Sequence, residues 1–159
     1  MRRFAITHDY LCPFARNAAE VVVRALETGA AFQPEFRAFS LSQVHLALFA
    51  ARHDQGRDLN DPEVLAAAVA SAGVDPDEVE KLVASGRPAA ALADDHSWAA
   101  DTARVFGVPT FVTAHRAVFV RLMDRPTTPE AASSTLDRVL TMVEDWPDLN
   151  EFKATAIPR

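Results

Sequence analysis

Sulfur and positive charge are both scarce in this chain. Its 159 residues include one cysteine, Cys12, which excludes an internal disulfide and any metal site built from cysteines alone. A chain that forms no disulfide is typical of a reducing compartment. The 22 acidic residues outnumber the 16 basic ones, for a net charge of −6, and no stretch clusters lysine or arginine with aromatic residues. We therefore expect no nucleic-acid partner.

Long apolar runs and metal-ligand spacings are absent from the sequence too. No apolar run long enough for a signal peptide follows Met1-Arg2-Arg3, and no later stretch reaches membrane-spanning length. The five histidines lack the spacing of a metal site. These features predict a cytoplasmic protein with no membrane association and no metal. Abundant alanine and arginine with little lysine is typical of a high-GC bacterial gene.

The single cysteine stands where a short apolar strand, residues 4–6, gives way to an amphipathic helix. Pro13 suits the first position of that helix because it lacks an N–H. Unpaired N–H groups at a helix start, together with the positive end of the helix dipole, stabilise a thiolate. Arg16, four residues after Cys12, shares the same helix face. We expect Cys12, Pro13 and Arg16 to form a catalytic group.

A purely structural explanation of Cys12 stays open. Other predicted helices of the chain also begin with a residue followed by proline, at Asp61, Asp75 and Thr128. Free cysteine is also a common buried residue. Aspartate and threonine are favoured helix caps whereas cysteine is not, so a structural requirement alone favours a different residue at position 12.

The periodicity of apolar residues predicts a definite series of strands and helices. The first helix ends at Gly29, and the alternating strand after it contains Pro34, which suits either the sheet edge or a position outside the ladder. Ser40 and Gln43 form a capping-box pair, and Gly107 is expected to end the helix before the third strand. The predicted strands are about 4–10, 32–39, 108–113 and 117–123, and the predicted helices are about 13–29, 40–56, 62–73, 76–86, 94–107 and 129–146.

This order of elements is that of an α/β thioredoxin-like fold with an all-helical insertion. A strand, a helix and a strand come first, then several helices, and finally two strands and a helix. The expected domain organisation is a thioredoxin-like domain of residues 1–39 plus 94–159, interrupted by a helical insertion of residues 40–93.

Three segments carry a resemblance to a known family. They are Asp9-Tyr10-Leu11-Cys12-Pro13-Phe14, Phe39-Ser40-Leu41 and Gly107-Val108-Pro109-Thr110-Phe111. Together they resemble the DsbA-like thioredoxin family, and in particular its cytoplasmic bacterial branch of FrnE-like dithiol–disulfide isomerases. The resemblance covers nearly the whole chain. It implies that Cys12 is the nucleophile of a Cys-Pro-x-Cys motif beside a cis-proline pair, Val108-Pro109, whose valine backbone binds an extended substrate.

Position 15 departs from that family. Ala15 stands where the resolving cysteine would be, so dithiol exchange within one chain is impossible. The resemblance then implies a monothiol oxidoreductase in which an external small thiol, glutathione or mycothiol, resolves a mixed disulfide on Cys12. No tightly bound cofactor is expected. A related resemblance is to kappa-class glutathione transferases and 2-hydroxychromene-2-carboxylate isomerases, which activate glutathione with a serine that is absent at position 12.

Residues next to these motifs are the expected substrate-binding set. Tyr10 offers either a hydroxyl or a wall to a bound thiol. His8, at the end of the first strand, has either an acid–base role or, as is expected of an isolated histidine, simple surface exposure. The sequence does not place Phe39, Phe49 or Trp98 relative to the thiol. The expected substrate-binding residues are Tyr10, Phe14, Ala15, Val108 and Pro109.

Three functions of different classes remain open. The first is a thiol-dependent oxidoreductase or transferase that acts through Cys12. The second is a non-catalytic module that binds a small thiol, a peptide or a partner beside the proline pair. The third is an interaction protein whose alanine- and valine-rich insertion helices bury a homodimer face. The alkylation rate of Cys12 across pH distinguishes the first from the other two.

Overall fold

The helices and strands follow the predicted order. The computed structural model describes residues 1–37 and 42–151, and of residues 42 and 43 only the backbone. The predicted capping box and Phe39 therefore lie outside the described side chains. The elements are β1 (Arg2–Thr7), α1 (Pro13–Glu27), β2 (Phe32–Arg37), α2 (Ser42–His53), α3 (Pro62–Ser71), α4 (Pro76–Ala84), α5 (Arg87–Ser97) with a π-helical turn (Trp98–Thr102), β3 (Thr110–Val112), β4 (Ala117–Phe119) and α6 (Pro129–Asp145).

The four strands form one mixed sheet in the order β2-β1-β3-β4. β1 and β2 are parallel, whereas β3 is antiparallel to both β1 and β4. β2 lies at the sheet edge, as its proline predicts. Pro34 stands opposite Phe4 there, in a strand whose outer N–H groups need no partner.

The main core lies between the sheet, α1 and α6. The helical period of α1 puts its alanines and valines on the buried face, and α6 presents a similar stripe. Burial of these apolar side chains is the main stabilising contribution of the fold. The arrangement is that of the expected α/β thioredoxin-like fold. The core residues include Phe4, Ile6, Val21, Val22, Phe111, Leu136, Leu140 and Val143.

The helices α2 to α5 are inserted between β2 and β3. A second small core joins α2 to α3 through Ala51, Val64 and Ala68. In contrast, α4 and α5 bury none of their residues. None of the described helices combines the length and apolar character that a membrane crossing requires.

The fifth helix differs from its predicted bounds. It begins at Arg87, not near residue 94, and its N-cap is Gly86, which has a positive φ of 74° and no side chain to signal a cap. A residue of this conformation ends one helix and begins the next, so α4 and α5 are separated by a tight turn. The sequence pattern does not reveal the start of α5, because Gly86 matches the glycine that ends α4.

The chain leaves the π-helical turn before Gly107, so the prediction that this glycine ends the helix is wrong. Arg104 takes the positive φ instead, at 52°. Gly107 has a different role, because a Cβ there would lie 3.4 Å from the ring of Phe119. The two following strands are shorter than predicted, since each pairs over only three residues.

Candidate functional site

Cys12 is the N-cap residue of α1. Its backbone is extended (φ −90°, ψ 117°), its side chain makes no capping hydrogen bond, and Pro13 follows in the first turn. The Cys12 N–H donates to the carbonyl oxygen of Asp9 at 3.0 Å, and the N–H of Arg16 donates to the Cys12 carbonyl at 3.2 Å. The backbone therefore holds the partly buried thiol at the helix start.

The hydrogen-bond acceptor of this thiol is the carbonyl oxygen of Val108. The Cys12 Sγ lies 3.5 Å from that oxygen. The Val108–Pro109 peptide bond is cis, the isomer that the sequence predicts. The carbonyl oxygen of Pro109 accepts from the N–H of Val120 at 3.1 Å, and the N–H of Thr110 donates to the Thr7 hydroxyl at 3.1 Å. Hydrogen bonds to the sheet thus place the proline pair beside the start of α1.

Ala15 forms the floor of the site. Its side chain is completely buried against Ala19 and Phe49. A larger side chain at position 15 would have to fit against the Phe49 ring. Other partly buried side chains pack on the same cluster, namely Tyr10, Cys12, Phe36 and Val108.

Arg16 forms an ion pair with Asp54, which follows α2. Arg125 bridges Asp54, at 3.6 Å, and Glu20, at 2.5 Å. Arg16 therefore belongs to a charge network that lines the cleft between α1 and α2. Its action on the thiolate stays a prediction, because Asp54 offsets part of its positive charge.

Tyr10 ties the loop before the cysteine to α2. Its hydroxyl lies 2.6 Å from Nδ1 of His45, and its carbonyl oxygen accepts from Nε2 of His53 at 2.9 Å. Burial raises the pKa of the Tyr10 phenol, so the hydroxyl is protonated at neutral pH. The ring is thus a wall of the site, and its hydroxyl already has a protein partner.

His8 is packed inside an aromatic cluster, so the expectation of simple surface exposure is wrong. Its ring centroid lies 4.4 Å from that of His45 and 5.2 Å from that of Tyr10. Burial, and to a smaller extent the charge of His45, lowers the pKa of His8 to about 3. Among the described residues, its buried Nδ1 finds no hydrogen-bond partner. The side chain is neutral at neutral pH because α2 covers the end of β1.

The exposed side of the site carries aromatic rings and one arginine. Pro13 is exposed, and Phe14 is partly buried beneath the guanidinium of Arg121, whose Cζ lies 5.3 Å from the ring centroid. The same Cζ lies 5.9 Å from the ring centroid of Phe119, which also packs against Phe106. These side chains form a surface next to the proline pair.

The site offers thiol chemistry. Its reactive group is one sulfur, with a carbonyl acceptor beside it and an alanine floor beneath it. Within the described ranges, 1–37 and 42–151, no group of three or more histidine, cysteine, aspartate or glutamate side chains could hold a metal ion.

Sequence reasoning missed several residues of the site. His45, Phe49 and His53 follow one another at intervals of four, so they share one face of α2 and cover Tyr10 and His8. That spacing was the signal that could have identified them. Trp98 packs elsewhere, beneath the guanidinium of Arg37, whose Cζ lies 4.3 Å from the ring centroid.

The sequence matches one family profile. Residues 40–126 match the DsbA-like thioredoxin domain, a region that runs from the start of the helical insertion to the segment after β4. This region includes Val108 and Pro109, makes up more than half of the chain, and lies after Cys12. A comparison with curated protein sequences gives no match.

Solved structures share the fold at low sequence identity. DsbA of Pseudomonas aeruginosa is 20% identical, with 90% of this chain and 84% of that chain covered and a TM-score of 0.56. A probable DsbA oxidoreductase of Streptomyces coelicolor is 15% identical, with both chains covered completely and a TM-score of 0.61. A 2-hydroxychromene-2-carboxylate isomerase is 14% identical, with 90% and 98% covered and a TM-score of 0.60. The predicted fold class is therefore confirmed.

Proposed function

Because the chain belongs to the DsbA-like thioredoxin family, we propose that it is a monothiol thiol–disulfide oxidoreductase that acts through Cys12. The observation that carries the proposal is the place of the only thiol, at the start of α1 and 3.5 Å from the carbonyl oxygen of Val108. A helix start favours the thiolate, which is the form that attacks a disulfide. The proline pair beside the sulfur leaves an edge of backbone for a substrate.

The proposed reaction has two exchange steps. The Cys12 thiolate attacks one sulfur of an external disulfide, a mixed disulfide forms, and the other sulfur leaves as a thiolate. An external small thiol then attacks the mixed disulfide, forms a new disulfide with the substrate sulfur and releases Cys12. This second thiol is needed because Ala15 carries no sulfur.

We assign the small thiol to the class of glutathione or mycothiol, in a reducing bacterial cytoplasm. We also place the chain in the FrnE-like branch of the family, as a member in which alanine has replaced the resolving cysteine. The support for these finer assignments is the sequence itself, through its single cysteine and its two spaced motifs.

The structural similarity to 2-hydroxychromene-2-carboxylate isomerase favours a second candidate, a glutathione-dependent transferase or isomerase. In that reaction glutathione is activated and no covalent bond to the protein forms. A module that only binds its ligand is a third outcome. The three differ in what happens to the sulfur of Cys12.

The test is intact-protein mass spectrometry after incubation with glutathione disulfide or mycothiol disulfide. We expect one adduct per chain, its removal by the free thiol, and no adduct on Cys12→Ser. Alkylation of Cys12 by iodoacetamide is expected to be faster than that of free cysteine. Conjugation of glutathione to an electrophile without an adduct would favour the transferase. If Cys12 is alkylated slowly, forms no adduct and supports no conjugation, the result would favour a module that only binds its ligand.

A further inference from the structure

Arg121 belongs to the surface next to the proline pair. It follows β4, is exposed, and lies over two aromatic rings, with its Cζ 5.3 Å from the centroid of Phe14 and 5.9 Å from that of Phe119. Contact with ring faces at these distances restrains a guanidinium without neutralising it. The long side chain therefore has a preferred position before any ligand binds.

The charge of Arg121 has no counter-ion in the part of the chain that the structure describes. In contrast, Arg16 pairs with Asp54 and Arg125 pairs with Glu20 in the cleft between α1 and α2. A restrained, exposed guanidinium without a carboxylate is suited to bind one from outside, because its planar donors match a carboxylate in geometry.

The position of Arg121 links it to the reactive sulfur. Phe14 lies two residues after Cys12 in the first turn of α1. On the other side, the ring of Phe119 covers Gly107, which directly precedes Val108. The residue between Phe119 and Arg121 donates its N–H to the carbonyl oxygen of Pro109. One ring therefore belongs to the helix turn that holds the thiol, and the other borders the segment against which the thiol lies.

We propose that Arg121 forms an anion subsite that binds a carboxylate of the low-molecular-weight disulfide that reacts at Cys12. The proposal rests on the proposed function and specifies its substrate class, small disulfides that carry carboxylates, such as glutathione disulfide. A neutral sugar-based disulfide such as mycothiol disulfide gains nothing from this contact. Arg121 is then a specificity-determining residue, and the exchange at sulfur proceeds as described above.

The test compares two aromatic disulfide probes that differ in charge. Dithiobis(nitrobenzoate) carries two carboxylates, dithiodipyridine is uncharged, and each releases a chromophoric thiol when the Cys12 thiolate attacks it. The ratio of their rate constants cancels the intrinsic reactivity of the sulfur and isolates the charge effect. Since any reactive thiol consumes both probes, the ratio remains measurable even if glutathione disulfide forms no adduct and the proposed function fails.

We expect Arg121→Gln to lower the ratio of the anionic to the neutral rate by about fivefold, because one nearby cation is lost. Arg121→Lys should keep part of the preference, and the exposed Arg138→Gln on α6 serves as the matched control with the wild-type ratio. In the wild-type protein the ratio should also fall with rising salt, a readout that needs no variant. Equal slowing of both probes in Arg121→Gln, or a wild-type ratio that ignores salt, would overturn the proposal.

Discussion

The Sγ of Cys12 and the carbonyl oxygen of Val108 lie 3.5 Å apart although 96 residues separate them in the sequence. The first turn of α1 holds the sulfur, and the pairing of β3 with β1 brings the carbonyl to it. The helical insertion lies between the two in the chain and packs against the loop that precedes the cysteine. The environment of the thiol therefore depends on the sheet, on α1 and on α2 together.

Ala15→Cys is expected to form a disulfide with Cys12 under mild oxidation, since it restores the spacing of the family motif. The native side chain is completely buried, so the added sulfur should lower the free energy of unfolding of the reduced protein by about 1–3 kcal/mol. Thiol counting and non-reducing peptide mapping check the bond. Ala15→Ser is the matched control, of similar size and without redox chemistry. Two thiols that stay free under oxidant would show that the site has lost the geometry of a dithiol enzyme.

The stability of the protein should fall with acid through His8. Its folded-state pKa, about 3, lies below the unfolded value of about 6.5, so the unfolded chain binds more protons between these values. The contribution of neutral His8 is complete above about pH 6.5 and is lost as the pH falls toward about 3. Urea unfolding at several pH values checks this.

The matched variant for that measurement is His8→Phe, which keeps an aromatic ring among Phe36, Tyr10, His45 and Phe49. Its free energy of unfolding should decline less steeply below about pH 6.5 than that of the wild type, because one proton-binding group has been removed from the unfolded chain. The same slope in both proteins would mean that His8 is not the group that responds.

Substitutions of Arg16 and of Asp54 should change the alkylation rate of Cys12 in opposite directions. If the guanidinium favours the thiolate, Arg16→Gln slows iodoacetamide alkylation at neutral pH, and Asp54→Asn accelerates it by freeing that charge, each by about two- to threefold. A double-mutant cycle in unfolding free energy should also give a coupling of about 0.5–1 kcal/mol. Unchanged alkylation in both variants would make Arg16 a structural residue only.

Glu20 should contribute more to stability than an exposed carboxylate with similar partners. It accepts from Arg24 at 3.0 Å and Arg125 at 2.5 Å, and its side chain is only 5% exposed. Glu20→Gln is expected to lower the free energy of unfolding by about 2 kcal/mol, because the buried side chain then loses its charge-assisted hydrogen bonds to the two arginines. Asp137→Asn is the control. Asp137 pairs with Arg2 at 2.8 Å but is 61% exposed. Asp137→Asn should therefore lower the free energy of unfolding by less than about 1 kcal/mol. If thermal unfolding shows that both variants lose similar stability, burial does not increase the contribution of Glu20.

The starts of α3, α4 and α6 are the helix boundaries that the sequence predicts best. The Asp61-Pro62, Asp75-Pro76 and Thr128-Pro129 pairs begin α3, α4 and α6, each with the predicted side-chain cap. In contrast, α5 begins at Arg87 with Gly86 as its N-cap, and the helix before β3 ends near Arg104, which takes a positive φ. Neither residue carries a side-chain signal for its role, so the prediction placed both boundaries wrongly.

The sequence by itself determined the fold class, the single cysteine and the absence of a second thiol, because periodicity and helix caps are properties of neighbouring residues and the cysteine count is a property of composition. Only the tertiary structure decided that His8 is packed against α2, that Arg16 is paired with Asp54, and that Arg121 lies over Phe14 and Phe119. The physical reason is that burial and electrostatic pairing depend on residues far apart in the chain, and no local pattern encodes which distant side chain will cover or neutralise another.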